Sequence, residues 1–154
     1  MRNAVESRLV DRLTPRARTS LMRNVKGKNT TPELMVRRML HRAGYRFRLH
    51  RADLPGKPDI VLPARRRIVL VNGCFWHGHD CRYGRLPKSR LEFWGPKIEG
   101  NRARDARNLS DLKAAGWRVL VVWQCETRVQ AALQQRLIKF LGPAKPSDLV
   151  DGLR

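Results

Sequence analysis

Gly116-Trp-Arg-Val-Leu-Val-Val-Trp123 decides the fold. The run is too uniformly apolar for a sheet edge and predicts a strand buried on both faces. Ahead of it, Lys97 to Ala115 carries Ile98, Ala106, Leu109 and Leu112 at helical spacing, with Gly100 weakening the first turn and Gly116 as the stop. Further upstream, Asp59-Ile-Val-Leu62 and Ile68-Val-Leu-Val71 are short apolar runs joined by Pro63-Ala-Arg-Arg-Arg67, which predicts a hairpin. A strand, a helix and a second buried strand make a crossover unit, so part of the sheet is expected to be parallel. The class is therefore α/β with a mixed sheet.

Outward from this unit the signals are local. Thr30-Thr31-Pro32-Glu33 is a helix start, with a threonine cap, a proline in the first turn and an acid near the positive end of the dipole. Val36, Met39, Leu40 and Ala43 give that helix one apolar face, and Gly44 stops it. Tyr45, Phe47 and Leu49 alternate with Arg46, Arg48 and His50, the pattern of a strand with one wet face. Leu54-Pro-Gly-Lys-Pro-Asp59 reads as a turn, and residues 82–96, with Pro87, Phe93, Trp94 and Pro96, as a long loop. Val129 to Leu141 is an amphipathic helix. The expected organisation is a basic arm over residues 1–30, partly helical and ordering on its partner, one domain over 31–142, and a tail over 143–154.

Lysine and arginine number 33 against 13 acidic residues in 154, a formal net charge of +20. Such an excess opposes compaction by self-repulsion and points to a polyanionic partner. A membrane-surface role would need a long amphipathic helix or a lipidation signal, and neither is evident. Ile68–Val71 and Val119–Trp123, the longest apolar runs, are too short to span a bilayer. Met1 to Leu21 has arginines throughout and no apolar core, so no secretory signal is expected. Three cysteines cannot all pair within one chain; with histidines among them, a reduced compartment and a metal read better than disulfides.

The chemistry concentrates in Asn72-Gly-Cys-Phe-Trp-His-Gly-His-Asp-Cys81. Cys74, His79 and Cys81, with Cys125 beyond the buried strand, supply the donors of a closed tetrahedral zinc site. The spacing is not that of a standard zinc finger, and buried cysteines often serve only as small apolar residues. Their loop position, and a crossover that brings Cys125 beside the strand leading to Cys74, favour zinc. Asp59, Glu33 and His77 have the residue types of a phosphodiester-cleaving site, where a carboxylate holds a divalent ion and another group activates water. Taken singly, Asp59 is also a turn residue, Glu33 a helix-dipole acid and His77 a surface histidine. Phe75, Trp76 and Trp94 are either wedges between base steps or packing over the zinc site. The helix bearing Arg102, Arg104 and Arg107 also carries Asp105 and Asp111, which fits a solvated face.

Together, Leu54-Pro-Gly-Lys-Pro-Asp59, Gly73-Cys-Phe-Trp-His-Gly-His-Asp-Cys81, Glu92-Phe-Trp94 and Gly116-Trp-Arg-Val-Leu-Val-Val-Trp-Gln-Cys125 resemble the very short patch repair (Vsr) mismatch endonucleases, from about Ser20 to about Arg128. The resemblance implies a restriction-endonuclease-like α/β/α core. It implies magnesium-dependent nicking of duplex DNA 5′ of the thymine in T:G mismatches that arise when 5-methylcytosine deaminates. By the same resemblance Asp59 is the magnesium-binding aspartate, aided by the backbone carbonyl of Val71, and His77 works on the water or the scissile phosphate. Glu33 is the supporting acid. Cys74, His79, Cys81 and Cys125 are structural zinc ligands, and Phe75, Trp76 and Trp94 wedge into the DNA. Residues 1–30 match the family's DNA-clasping segment in character. Where the family often has threonine and histidine before Gly-Cys-Phe-Trp, this chain has Val71 and Asn72; asparagine can hydrogen-bond a phosphate but cannot exchange a proton. The expected protein is a monomer in the bacterial cytoplasm, at the nucleoid, acting on T:G-containing double-stranded DNA ahead of downstream repair proteins. A zinc-stabilised DNA-binding module without catalysis and a restriction-like nuclease for matched DNA are the alternatives.

Overall fold

The computed structural model describes residues 27–146, together with Thr14, Arg16 and Ala17. The rest of the expected basic arm (1–30) and of the expected tail (143–154) lies outside the described residues. Helix α1, Thr31–Arg42, begins as its sequence dictates: the Thr30 side chain accepts from the Glu33 N–H at 3.3 Å and Pro32 sits in the first turn. It ends at Ala43, and Gly44 turns the chain with a φ of 93°. Strands β1 (Arg48–Leu49), β2 (Ile60–Leu62) and β3 (Arg67–Asn72) follow, then helix α2 (Leu91–Ala114), strand β4 (Arg118–Trp123) and helix α3 (Gln130–Leu141).

The sheet runs β1-β2-β3-β4. The β1–β2 and β2–β3 pairs are antiparallel and β3–β4 is parallel, with Ile68 opposite Val119 and Asn72 opposite Trp123. The hairpin and the α2 crossover thus form as the sequence predicts. Alternation along the strands sends side chains to two cores. On one face Ile60, Leu62, Val69 and Val122 pack with Val36 and Leu40 of α1 and Leu133, Leu137 and Leu141 of α3. On the other, Val61 and Ile68 pack with Leu112 of α2 and with Trp117. The result is three layers, helices over both faces of the sheet, with each fully buried aliphatic side chain stabilising by about 1.5–3 kcal/mol. Among the described residues no helix is long and apolar enough to cross a membrane.

Three expectations are corrected. β4 is not interior to the sheet: among the described residues its only strand neighbour is β3. It is apolar because α2 and α3 cover its two faces, and the Arg136 guanidinium donates to the Val121 carbonyl at 3.1 Å, occupying one of its backbone acceptors. The strand expected over 45–50 is reduced to Arg48–Leu49, while Tyr45 is buried against the α1–α3 core. The loop expected over 82–96 ends early, because α2 starts at Leu91 and runs through Pro96. Gly95-Pro96 hides this start in the sequence; Trp94 in that first turn packs against Phe75 and Trp76, a tertiary contact that outweighs the local penalty.

Candidate active site and metal centre

Parallel pairing of β3 with β4 makes both strands deliver their following loops to the same end of the sheet. The loop after β3 folds tightly: His77 N–H donates to the Gly73 carbonyl at 3.2 Å and His79 N–H to the Cys74 carbonyl at 2.9 Å. Glycine is required at 84, where a Cβ would lie 1.9 Å from the His79 carbonyl oxygen. It is also favoured at 78, where φ is 62° and a Cβ would meet Ile98 at 2.8 Å. Cys125 is the second residue of the short 3-10 segment Gln124–Arg128 after β4.

This geometry gathers Cys74, His79, Cys81 and Cys125, whose ligand atoms all lie within 4.8 Å of one another. The Cys125 N–H points at Cys74 Sγ at 3.4 Å, and His79 Nδ1 lies 3.6 Å from Cys125 Sγ. The His79 ring stacks on Trp123, centroids 4.2 Å apart and 11° from parallel, which fixes the imidazole. All three thiols are free of disulfides. Burial pushes the Cys74 thiol up to about 12 and also raises Cys125. Burial would raise Cys81 too, but hydrogen bonds from the Tyr83 backbone and the His79 side chain hold it down at about 7. Three thiols and one imidazole converging in this way fit a structural zinc ion, which needs thiolates and offers the charge to form them.

A second cluster forms at the neighbouring strand ends. Asp59 stands one residue before β2, and its Oδ2 accepts the Val71 N–H of β3 at 2.8 Å. Glu33, in the first turn of α1, is only 2 % exposed, so it is more than a helix-dipole acid. Its Oε2 accepts the Asn29 N–H at 2.9 Å, and its Oε1 faces His50 Nε2 at 2.9 Å and Arg37 at 3.6 Å. One ligand atom each from Glu33, His50 and Asp59 lies within 4.8 Å of the others. Burial pushes the Asp59 carboxyl up to about 6; the Val71 N–H opposes the rise, the Glu33 charge adds to it, and His50 and His77 oppose it. The carboxylates and imidazole, brought together and partly desolvated, fit a divalent cation.

Several of the residues the sequence singled out line one open cleft of about 1350 Å³. The cleft is lined by Asp59, Val71, Asn72, Trp76 and His77. Glu33 borders an adjoining pocket that shares Asp59, Val71, Trp76 and His77 with it. Phe75, Trp76 and Trp94 meet edge to face with centroids 5.1–5.9 Å apart. It is Trp123, rather than this trio, that stacks on His79 of the thiol cluster.

Two residues were missed by sequence reasoning. Asp105, read as part of a solvated face, pairs through Oδ2 with His77 Nδ1 at 2.5 Å. His50, read as a wet strand residue, turns its ring to Glu33 and is left half-buried. The only signal for Asp105 was an acid among arginines on a helix that follows the loop; for His50 there was its position just before the Leu54–Asp59 turn.

The sequence is similar to those of known proteins. The sequence pattern of the family described as DNA mismatch endonuclease Vsr matches residues 10–83. The chain is 60 % identical over 136 residues to the type II nicking enzyme V.XorIIP of Xanthomonas oryzae pv. oryzae, covering 88 % of this chain and 100 % of that protein. It is 39 % identical over 137 residues to the type II nicking enzyme V.NmeAIP of Neisseria meningitidis, covering 89 % and 98 %. It is 39 % identical over 129 residues to the DNA mismatch endonuclease Vsr of Escherichia coli, covering 80 % and 83 %.

Proposed function

We propose, from the premise that the chain belongs to the Vsr family of DNA mismatch endonucleases and is a DNA endonuclease, that it nicks duplex DNA 5′ of the thymine in T:G mismatches left by deamination of 5-methylcytosine. The observation that carries this reading is the shared cleft, which brings Asp59, His77 and the wedge-like Trp76 to one surface. The three-layer arrangement is read as a restriction-endonuclease-like α/β/α core, and the protein is read as acting as a monomer.

Asp59, with Glu33 in support and the backbone carbonyl of Val71, is assigned to hold magnesium. Bound there, the ion supplies Lewis-acid polarisation of the phosphate and steadies the leaving oxygen. His77 takes the proton from the attacking water. Its Nδ1 is engaged by Asp105 at 2.5 Å, which leaves Nε2 for that transfer and stabilises the imidazolium formed. Asn72 donates a hydrogen bond to the phosphate. Phe75, Trp76 and Trp94 enter the stack where a wobble pair lowers the cost of distortion, so recognition is partly a readout of deformability. Cys74, His79, Cys81 and Cys125 hold zinc and thereby fix the loop bearing His77 and the wedges. The +20 charge, including the basic arm, gathers DNA with an affinity that falls steeply with salt. A DNA substrate of this kind places the enzyme in the bacterial cytoplasm, at the nucleoid, handing nicked strands to downstream repair proteins.

The test is strand-specific nicking of a labelled duplex with one T:G pair in several sequence contexts, beside a matched control, with magnesium or with chelator. The expected result is magnesium-dependent nicking 5′ of the thymine in mismatched DNA only. Binding without cleavage in every context would overturn it in favour of an inactive module, for which Asn72 is the specific support. Cleavage of matched DNA would overturn it in favour of a restriction-like enzyme.

A further inference from the structure

We propose that His50 is itself a metal ligand: Glu33, His50 and Asp59 form a divalent-cation site with an imidazole in its coordination sphere, which binds nitrogen-accepting ions such as Mn2+ as well as Mg2+. The proposal rests on the reading that Asp59 carries the cation, and adds the ligand that decides which cations the site prefers.

The first support is convergence. Carboxylate oxygens of Glu33 and Asp59 and a ring nitrogen of His50 lie within 4.8 Å of one another although they come from α1, from the residue after β1 and from the residue before β2. Neighbouring ligands about 2.1 Å from a shared octahedral ion stand about 3 Å apart. The His50 Nε2 to Glu33 Oε1 distance is 2.9 Å.

The second support is that this close pair is not a hydrogen bond. Both atoms are buried, and neither has an aligned hydrogen-bond partner, despite the 2.9 Å approach. An imidazolium paired with a carboxylate forms a short, well-directed bond, since charge strengthens the preference for alignment. The Nε2 axis therefore points past Oε1, which leaves both lone pairs open to a cation shared between the two atoms. Glu33 is 2 % exposed, so water is a poor substitute. Arg37, 3.6 Å from Glu33 Oε1, approaches the same oxygen but lies too far for a hydrogen bond.

The third support is backbone. His50 has a φ of 47°, in the left-handed region that non-glycine residues seldom occupy. Its N–H is tied to the Asp59 carbonyl at 3.2 Å, so the strained residue and the carboxylate are held as a unit. Strain of this kind persists where the surroundings over-determine it and clusters at ligand sites.

An imidazole donor shifts preference among divalent ions. Carboxylate and water ligands alone suit Mg2+, whereas imidazole is better accepted by first-row transition ions. His50 also lines the cleft that holds Asn72, so the chain keeps an imidazole beside Asp59 although residue 72 offers none.

The experiment is Mn2+ titration of the full-length, zinc-loaded protein, alone and bound to duplex DNA, followed by pulsed electron paramagnetic resonance. The expected result is a 14N coupling to bound Mn2+ that is lost in His50→Ala and retained in His77→Ala. His50→Gln, which keeps the size and a polar end, should lose the same coupling and weaken Mn2+ more than Mg2+. Bound Mn2+ without nitrogen coupling, or a coupling that survives His50→Ala, would overturn the role of His50; loss of that Mn2+ in Asp59→Asn would then leave the Asp59 reading standing. Absence of Mn2+ binding in both states would overturn the site and the Asp59 reading together.

Discussion

The thiol cluster and the carboxylate cluster lie on either side of the same strand end, and they are built in opposite ways. Three of the four thiol-cluster donors fall between Cys74 and Cys81, and the fourth follows the strand paired with β3. The set is complete at four donors and capped by Trp123, so a zinc ion there has no position left for substrate. The carboxylate cluster draws Glu33, His50 and Asp59 from three separate elements and leaves two or three positions for water and phosphate on a six-coordinate ion. Under the proposed function, the closed site with local donors gives shape and the open one with distant donors gives chemistry. The loop from Gly73 to Cys81 joins the two, since it carries three thiol-cluster donors together with Phe75, Trp76 and His77.

The largest effect that would sharpen this contrast is at the closed site. Cys74→Ser should abolish stoichiometric zinc and remove most of the roughly 5–15 kcal/mol that holds a domain of this size folded, read by metal analysis and thermal melting. An unchanged melting temperature after metal removal would erase the distinction. At the open site, His77→Ala should lower nicking of T:G duplex by about 10²–10⁴-fold with little change in melting, and Asp105→Asn should fall between that variant and wild type. Equal melting losses in His77→Ala and Cys74→Ser would show that the loop has only a structural task.

A third prediction concerns pH. Asp59 titrates near 6 rather than near the usual carboxylate value because it is buried. A raised carboxyl pKa means the metal-free fold is most stable below the unfolded pKa, about 4, and loses stability as pH rises through about 6. Asp59→Asn should therefore stabilise the metal-free protein at pH 7–8 by up to about 3 kcal/mol, with the gain vanishing below about pH 4. Divalent-ion affinity in the wild type should fall as pH drops below about 6, where protons compete for the carboxylate. The smallest effect is at the wedge: Trp76→Ala should reduce preference for mismatched over matched duplex by about 1–3 kcal/mol while zinc content stays intact. An unchanged preference would assign the aromatic trio to packing.

The same contrast explains what could be read in advance. The thiol cluster was legible because its donors are of rare residue types and nearly contiguous, and the crossover supplied Cys125. The hairpin and the parallel pair followed from apolar runs separated by turn residues. His50 and Asp105 were not legible, because neither spacing nor residue type distinguishes a histidine turned to a buried glutamate from a wet strand position, or an aspartate paired with His77 from one among arginines on an exposed helix. β4 misled because apolarity reports covered faces and not the number of neighbouring strands. The start of α2 at Leu91 was hidden by Gly95-Pro96, where contact between Trp94 and the Phe75–Trp76 pair prevails over local propensity.

The most direct test of the division between a shape-giving and a cutting cluster is a paired measurement on Asp59→Asn with zinc loaded: equilibrium binding and single-turnover nicking of one T:G duplex in magnesium. Binding is expected close to wild type, with no detectable nicking. Nicking at a wild-type rate would contradict it, because the cutting centre would then lie elsewhere than the Asp59 cluster.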